Sequence, residues 1–205
     1  MAGGGVQLSL RRYRAARPGA SLRFVAPIFH DCERAFSGEE CDRLIALAGA
    51  AEMKAGAVYG GGDYVPNPAV RQVDTSYHPR GPKTAWIYER LDGLFEQAAA
   101  ALGAQVAPMS EDIQLMRYGV GSHFRMWHSD AGYDRQAERL LSVSVELSEP
   151  GDYEGGYLEI AGQAMGGRTL PRGGARFFFS RALHRVTPVT RGTRYSLVNW
   201  TGGAG

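Results

Sequence analysis

At 205 residues, with 44% hydrophobic and 21% charged residues, the chain has ordinary globular composition and enough length for one domain with a substantial core. A formal net charge of +2 is too small to mark a nucleic-acid binder by electrostatics, and no apolar run approaches the roughly 20 residues that a membrane span requires. The 28 glycines exceed the average share of about 7% and point to a protein rich in tight turns.

Residues 1–21 carry Gly3-Gly4-Gly5, an arginine cluster (Arg11, Arg12, Arg14, Arg17) and Pro18-Gly19, with little to bury, and are expected to form a disordered leader. An organellar targeting segment is the other reading of the same composition. A first strand is expected over 22–29. Ser37 and Glu40 then have the spacing of a capping box before the apolar positions Leu44, Ile45, Leu47 and Ala48, so a helix should run to about 51. Cys32 and Cys41 make neither a disulfide framework nor a four-ligand zinc site; reduced thiols in a cytoplasmic protein are expected.

Strands over 57–59 and 70–76 are joined by Gly60-Gly61-Gly62-Asp63-Tyr64-Val65-Pro66-Asn67-Pro68, a connection read as too long for a tight hairpin and as a mobile lid. Pro82 should open a second helix. It places Trp86, Leu91, Leu94, Phe95, Ala98 and Leu102 largely on one face, and Gly103 ends it. From 105 onward the pattern changes to short strands, about 111–119, 123–130, 139–148, 156–160, 175–180, 184–190 and 193–200. Helices followed by many short strands predict a mainly β protein with supporting helices, a double-stranded β-helix (jelly roll, cupin-like). A single domain is expected over 22–205, with 22–104 as helical support and lid and 105–205 as the jelly-roll core.

Within those strands, Trp127-His128-Ser129-Asp130 carries the most information. Residues two apart on a strand share a face, so His128 and Asp130 can grip one ion from the same side, with His184 as the third ligand. Two imidazoles and one carboxylate on one triangular face leave the other positions of an octahedral ion open, the set associated with non-haem Fe(II) oxygenases. Taken singly, each histidine also fits a satisfied buried imidazole and Asp130 a turn residue, and the same three ligands serve hydrolytic zinc. Arg194, Ser196, Val198 and Trp200 share one strand phase. The planar guanidinium of Arg194 suits paired bonds to a carboxylate, and Ser196 can add a hydroxyl bond. Arg191 has the opposite phase and should face solvent. Over 139–148, Val143, Val145 and Leu147 form an apolar face, while Ser142, Ser144 and Glu146 form a polar one that should look into the barrel.

Residues 113–200 resemble the 2-oxoglutarate and Fe(II)-dependent dioxygenases of the prolyl 4-hydroxylase-like group. The resemblance rests on Leu115-Met116-Arg117-Tyr118-Gly119, His128-Ser129-Asp130, Arg139-Leu140-Leu141-Ser142, Tyr153-Glu154-Gly155-Gly156-Tyr157-Leu158 and the run from His184 to Arg194, in the family's order and at its spacings. It implies Fe(II), 2-oxoglutarate and O2 as cofactor and cosubstrates, ascorbate as a candidate reductant, and hydroxylation of a C–H bond with release of succinate and CO2. By the same resemblance, Arg194 holds the distal carboxylate of 2-oxoglutarate, Tyr118 contacts the cosubstrate and Trp200 closes its pocket. Ser142 and Ser196 are further cosubstrate-facing candidates. Glu146 departs from the pattern: the better-known prolyl hydroxylases often carry an aromatic there, and a carboxylate beside a bound dicarboxylate repels it unless a donor lies between.

The substrate expected from the resemblance is peptidyl or amino-acid-like, with proline the family's best-known target. Two other readings compete, an inactive metal-binding jelly roll serving as an interaction module and the same chemistry on alkylated nucleic acid. The second calls for a basic groove that a near-neutral chain does not advertise.

Overall fold

The computed structural model describes residues 27–60, 63–132, 134–161 and 169–204; the expected leader and most of the expected first strand lie outside them. Its centre is an antiparallel sheet in the order Phe29–Cys32, Ala175–Phe179, Arg139–Glu146, Arg194–Gly202, Ile113–Tyr118, Asp74–His78 and Lys54–Ala55. A smaller antiparallel sheet orders Leu158–Ile160, His184–Val186, His123–His128 and Arg71–Gln72. The two enclose the cavity described below. Mainly β architecture of jelly-roll type is therefore what the chain adopts.

Period-two alternation separates the two faces of the large sheet. Val143, Val145, Leu147, Ile113, Leu115 and Leu197 point one way and are buried against both helices. The helix Gly38–Gly49 begins at Ser37, whose side chain accepts from the Glu40 amide at 3.2 Å, while Glu40 accepts from the Ser37 amide at 2.8 Å. This reciprocal cap satisfies two otherwise orphaned donors. The helix Ala85–Leu102 starts three residues later than Pro82 suggests, and Gly103 ends it at φ 70. Phe95 meets Phe177 of the sheet edge to face at 5.1 Å between centroids.

Several expected boundaries shift for identifiable reasons. The described first strand, Phe29–Cys32, begins where the expected 22–29 strand ends. The connection over 60–68 is no open loop: Ala57–Gly60 and Asp63–Pro66 pair as a hairpin, with Gly60 opposite Asp63. The two residues between that pair, Gly61 and Gly62, lie outside the described residues. The expected 156–160 strand is shortened to Leu158–Ile160 and a separate strand, Tyr153–Gly155, precedes it; Gly155 and Gly156, at φ 73 and 64, break the chain between the two. A Cβ on Gly155 would lie 2.0 Å from the Pro188 carbonyl oxygen, so only glycine fits there. Strand 184–190 is interrupted at Thr187-Pro188, giving His184–Val186 and Val189–Gly192 in different sheets.

Candidate metal centre

The polar face of the large sheet is set by its register. Arg194 lies opposite Tyr118, Ser196 lies between Met116 and Glu146, Val198 between Gln114 and Ser144, and Trp200 opposite Ser142. From the small sheet, His184 pairs directly with His128 and Val186 with Phe124. Between these faces lies a cavity of about 470 Å³, within the size range of small-molecule sites. His128, Asp130, His184, Tyr118, Arg194, Ser196, Val198 and Trp200 all line it.

His128 and His184 come together as cross-strand partners, their ring centroids 4.2 Å apart. Asp130 arrives differently from the sequence argument. The strand ends at His128, so the pleat does not carry on to Asp130. The amides of Asp130 and Ala131 instead donate to the Ser180 carbonyl at 2.9 and 3.1 Å, and Ser129 Oγ donates to the same oxygen at 3.0 Å. A turn stapled to the Ser180 carbonyl thus delivers the carboxylate. Asp130 lies 3.4 Å from His184 Nε2 through one oxygen and 3.9 Å from His128 Nε2 through the other. All three ligand atoms lie within 4.8 Å of one another.

The donor chemistry fits a divalent ion. His128 Nδ1 is 3.0 Å from the Met126 carbonyl oxygen and His184 Nδ1 is 3.0 Å from that of Ala182. A carbonyl only accepts, so each Nδ1 carries a proton and each Nε2, beside Asp130, is the ring nitrogen placed to ligate a metal ion. Burial, then the nearby His184, lowers the His128 pKa to about 4, so that ring is neutral near pH 7. Burial works to raise the Asp130 carboxyl, but His184 and then His128 outweigh it and hold it well below the usual carboxylate range. His184 shifts upward because Asp130 outweighs its desolvation.

Ser142 departs from its expected place. Its hydroxyl donates at 2.8 Å to Asp130 Oδ2, the oxygen nearest His184, and lies 2.9 Å from Ser180 Oγ, so it steadies the carboxylate instead of facing the open cavity. Tyr118 is buried, and the contact its hydroxyl makes is a weak one to Met116 Sδ at 3.4 Å. Among the described residues Trp200 Nε1, which is buried, has no hydrogen-bond partner, although the indole helps to lower the Asp130 pKa. Arg139 lies over the Trp200 ring at 3.7 Å from its centroid. Arg191 is exposed and paired with Glu154, in keeping with its strand phase.

Arg194 is 1% exposed and already has a partner. Its Nε and Nη2 donate to the two Glu146 oxygens at 2.9 and 2.5 Å, a bidentate pair across a diagonal of the sheet. Tyr153 Oη adds a bond to Glu146 at 3.3 Å. Burial opposes the Arg194 charge, but Glu146 outweighs it and raises the pKa further. The carboxylate that departs from the expected pattern is therefore neutralised by the guanidinium beside it. Sequence reasoning passed over Arg71 and Phe124 in this cavity; neither belongs to a spacing motif, and both reach it through long-range pairing.

Two imidazoles and a carboxylate that converge in one cavity of a jelly roll form the donor set of a mononuclear metal centre. Comparison with known proteins resolves the family. Residues 113–202 match the model of the 2OG-Fe(II) oxygenase superfamily. A PKHD-type hydroxylase of Nitrobacter winogradskyi is 32% identical over 165 residues, 80% of this chain and 73% of that protein. Another, of a Picosynechococcus species, is 40% identical over 85 residues, 41% of this chain and 38% of that protein. In fold, a Pseudomonas putida prolyl-4-hydroxylase matches at TM-score 0.63 and 18% identity, over 87% of this chain and 94% of that one. A Trichoplax adhaerens prolyl hydroxylase, solved with a hypoxia-inducible-factor peptide fragment, matches at TM-score 0.68 and 16% identity, over 86% and 84%. The chain belongs to the 2-oxoglutarate/Fe(II) oxygenases of the prolyl 4-hydroxylase-like family. It is a hydroxylase-class enzyme whose cofactor is Fe(II) and whose cosubstrates are 2-oxoglutarate and O2.

Proposed function

We propose that the enzyme hydroxylates a C–H bond of a peptidyl or free amino-acid-like substrate, with proline the first target to test. Similarity to PKHD-type hydroxylases and to a prolyl hydroxylase solved with a peptide supports this reading. The observation that carries it is the convergence of His128, Asp130 and His184 in one cavity beside a buried arginine.

In this reading His128, Asp130 and His184 hold the iron, which when bound supplies with 2-oxoglutarate and O2 the oxidising power for an unactivated C–H bond. Ser142 keeps the Asp130 carboxylate oriented. Glu146 takes the Nε and Nη2 edge of Arg194, which leaves Nη1 and the second Nη2 hydrogen for the distal carboxylate of 2-oxoglutarate. Ser196 and the Tyr118 hydroxyl lie in the same cavity to add neutral bonds, and Trp200 forms its wall. The low-dielectric surroundings strengthen each of these contacts. No side chain is required as a general base. Residues 22–205 are proposed to act as one domain, and the unpaired thiols Cys32 and Cys41 accord with the cytoplasm. Among the described residues no helix is long and apolar enough to cross a membrane.

Anaerobic titration with Fe(II) and 2-oxoglutarate tests the assignment. A visible metal-to-ligand charge-transfer band, followed by succinate formation on admission of air, is expected. Iron binding without the band would return the chain to a metal-binding module.

A further inference from the structure

Among the described residues three arginines line the cavity, and two of them are committed to carboxylates. Arg139 donates to both oxygens of Glu111, and Arg194 does the same to Glu146. Arg71 forms no ion pair among the described residues, and its Nε is buried without a hydrogen-bond partner. That Nε is enclosed beside Gly56; an arginine that lines the cavity without a carboxylate partner offers its terminal N–H groups to an anionic ligand.

Arg71 is also held in place. It opens the strand Arg71–Gln72 opposite Phe124, and its guanidinium carbon lies 5.1 Å from the Phe124 ring centroid. Phe124 in turn stacks on His128 at 3.6 Å and 15°. The cation therefore stands one ring away from the metal ligands. Its Nη1 donates to the Ala57 carbonyl at 2.9 Å, which ties it to the hairpin 57–66. Gly56 makes room for it: a Cβ there would come within 2.7 Å of Arg71 Nε. Arg194 is enclosed, at 1% exposure, whereas Arg71 is bonded to the hairpin that carries Tyr64, about half exposed.

We propose that Arg71 is a specificity-determining residue and that the substrate bears a carboxylate which the Arg71 guanidinium binds. The inference rests on the oxygenase reading above and names the substrate class for the same cavity. The surroundings are mostly apolar, through Met116, Phe124, Met126 and Tyr77, so one charge-assisted contact fixes orientation strongly. A free amino acid and the C-terminus of a peptide both supply this chemistry.

The test uses four defined mixtures: the twenty free amino acids, their amides, and a degenerate tripeptide library with free or amidated C-termini. Succinate formation is measured with the Fe(II) enzyme. Melting temperature is measured separately with Mn(II) and 2-oxoglutarate, where no turnover occurs. The carboxylate forms should stimulate succinate formation at least tenfold more than the amides, and they alone should raise the melting temperature. Stimulation by the amino acids or by the free-ended peptides identifies the source.

Arg71→Gln should abolish the preference and raise the substrate KM on the order of tenfold or more. Arg71→Lys, which keeps the charge, should retain a reduced preference and so excludes a merely disturbed hairpin. Equal response to acids and amides, no response to any mixture, or a preference that survives Arg71→Gln would each overturn the proposal. A 2-oxoglutarate KM that rises as much as the substrate KM would also overturn it, by moving Arg71 to the cosubstrate. Failure of the oxygenase reading is separately visible, because the anaerobic charge-transfer band would then be missing from the wild type.

Discussion

Replacing Arg194 by leucine perturbs two things at once, and the structure shows how to separate them. Arg194 and Glu146 are 1% and 7% exposed and pair through two hydrogen bonds. Removing only the arginine strands the Glu146 charge in the interior, which costs about 3–5 kcal/mol of stability. For a chain of this size that corresponds to a fall in melting temperature of roughly 6–20 °C. Removing both partners, as Arg194→Leu with Glu146→Leu, leaves no orphan charge and should recover most of the loss, since apolar replacement of a buried pair is often neutral or favourable. Affinity for 2-oxoglutarate should not recover, because the distal carboxylate has lost its donor at a cost of about 2–5 kcal/mol, roughly 30- to several-thousand-fold. Thermal melts of the metal-free protein and anaerobic titration of the charge-transfer band measure the two effects independently. Arg191→Leu is the control: its pair with Glu154 is more than half exposed, and such pairs contribute at most about 1 kcal/mol. Wild-type affinity in the double variant would remove Arg194 from the cosubstrate site. An undisturbed melting temperature in Arg194→Leu would mean that the Glu146 pair is not formed in solution.

Three further outcomes are expected. His128→Ala, Asp130→Ala or His184→Ala should each reduce 2-oxoglutarate turnover to no more than a few per cent of wild type while near-native circular dichroism is kept; a variant that turns over more is no ligand. Ser142→Ala removes the 2.8 Å bond to Asp130 and should weaken Fe(II) affinity about 10- to 100-fold in an equilibrium metal titration; unchanged affinity would show that the Ser180 staple alone orients the carboxylate. Tyr118→Phe deletes a hydroxyl whose contact in the protein is a weak one to sulfur, so the 2-oxoglutarate KM should rise by no more than about tenfold, the equivalent of on the order of 1 kcal/mol. No change in KM would leave Tyr118 as a packing residue.

What the sequence by itself determined are the features with a short-range signature. The candidate ligands His128, Asp130 and His184 carry chemical identities that narrow their use, and the Ser37 cap, the Gly103 helix end and the two faces of 139–146 follow from local periodicity. Strand phase also put Arg194, Ser196, Val198 and Trp200 on one face, because side chains alternate whatever the strand pairs with. Partnership was decided only by the tertiary structure. Glu146 reads as a repulsive neighbour of the cosubstrate until the register of the Arg139–Glu146 and Arg194–Gly202 strands places it against Arg194. Ser142 reads as cosubstrate-facing until the turn at Ser180 brings Asp130 onto it. Arg71 has no motif at all, and its position beside Phe124 and His128 depends on pairing between segments far apart in the chain. Alternation specifies which face a side chain takes, whereas its neighbour across the sheet depends on register, which long-range packing selects.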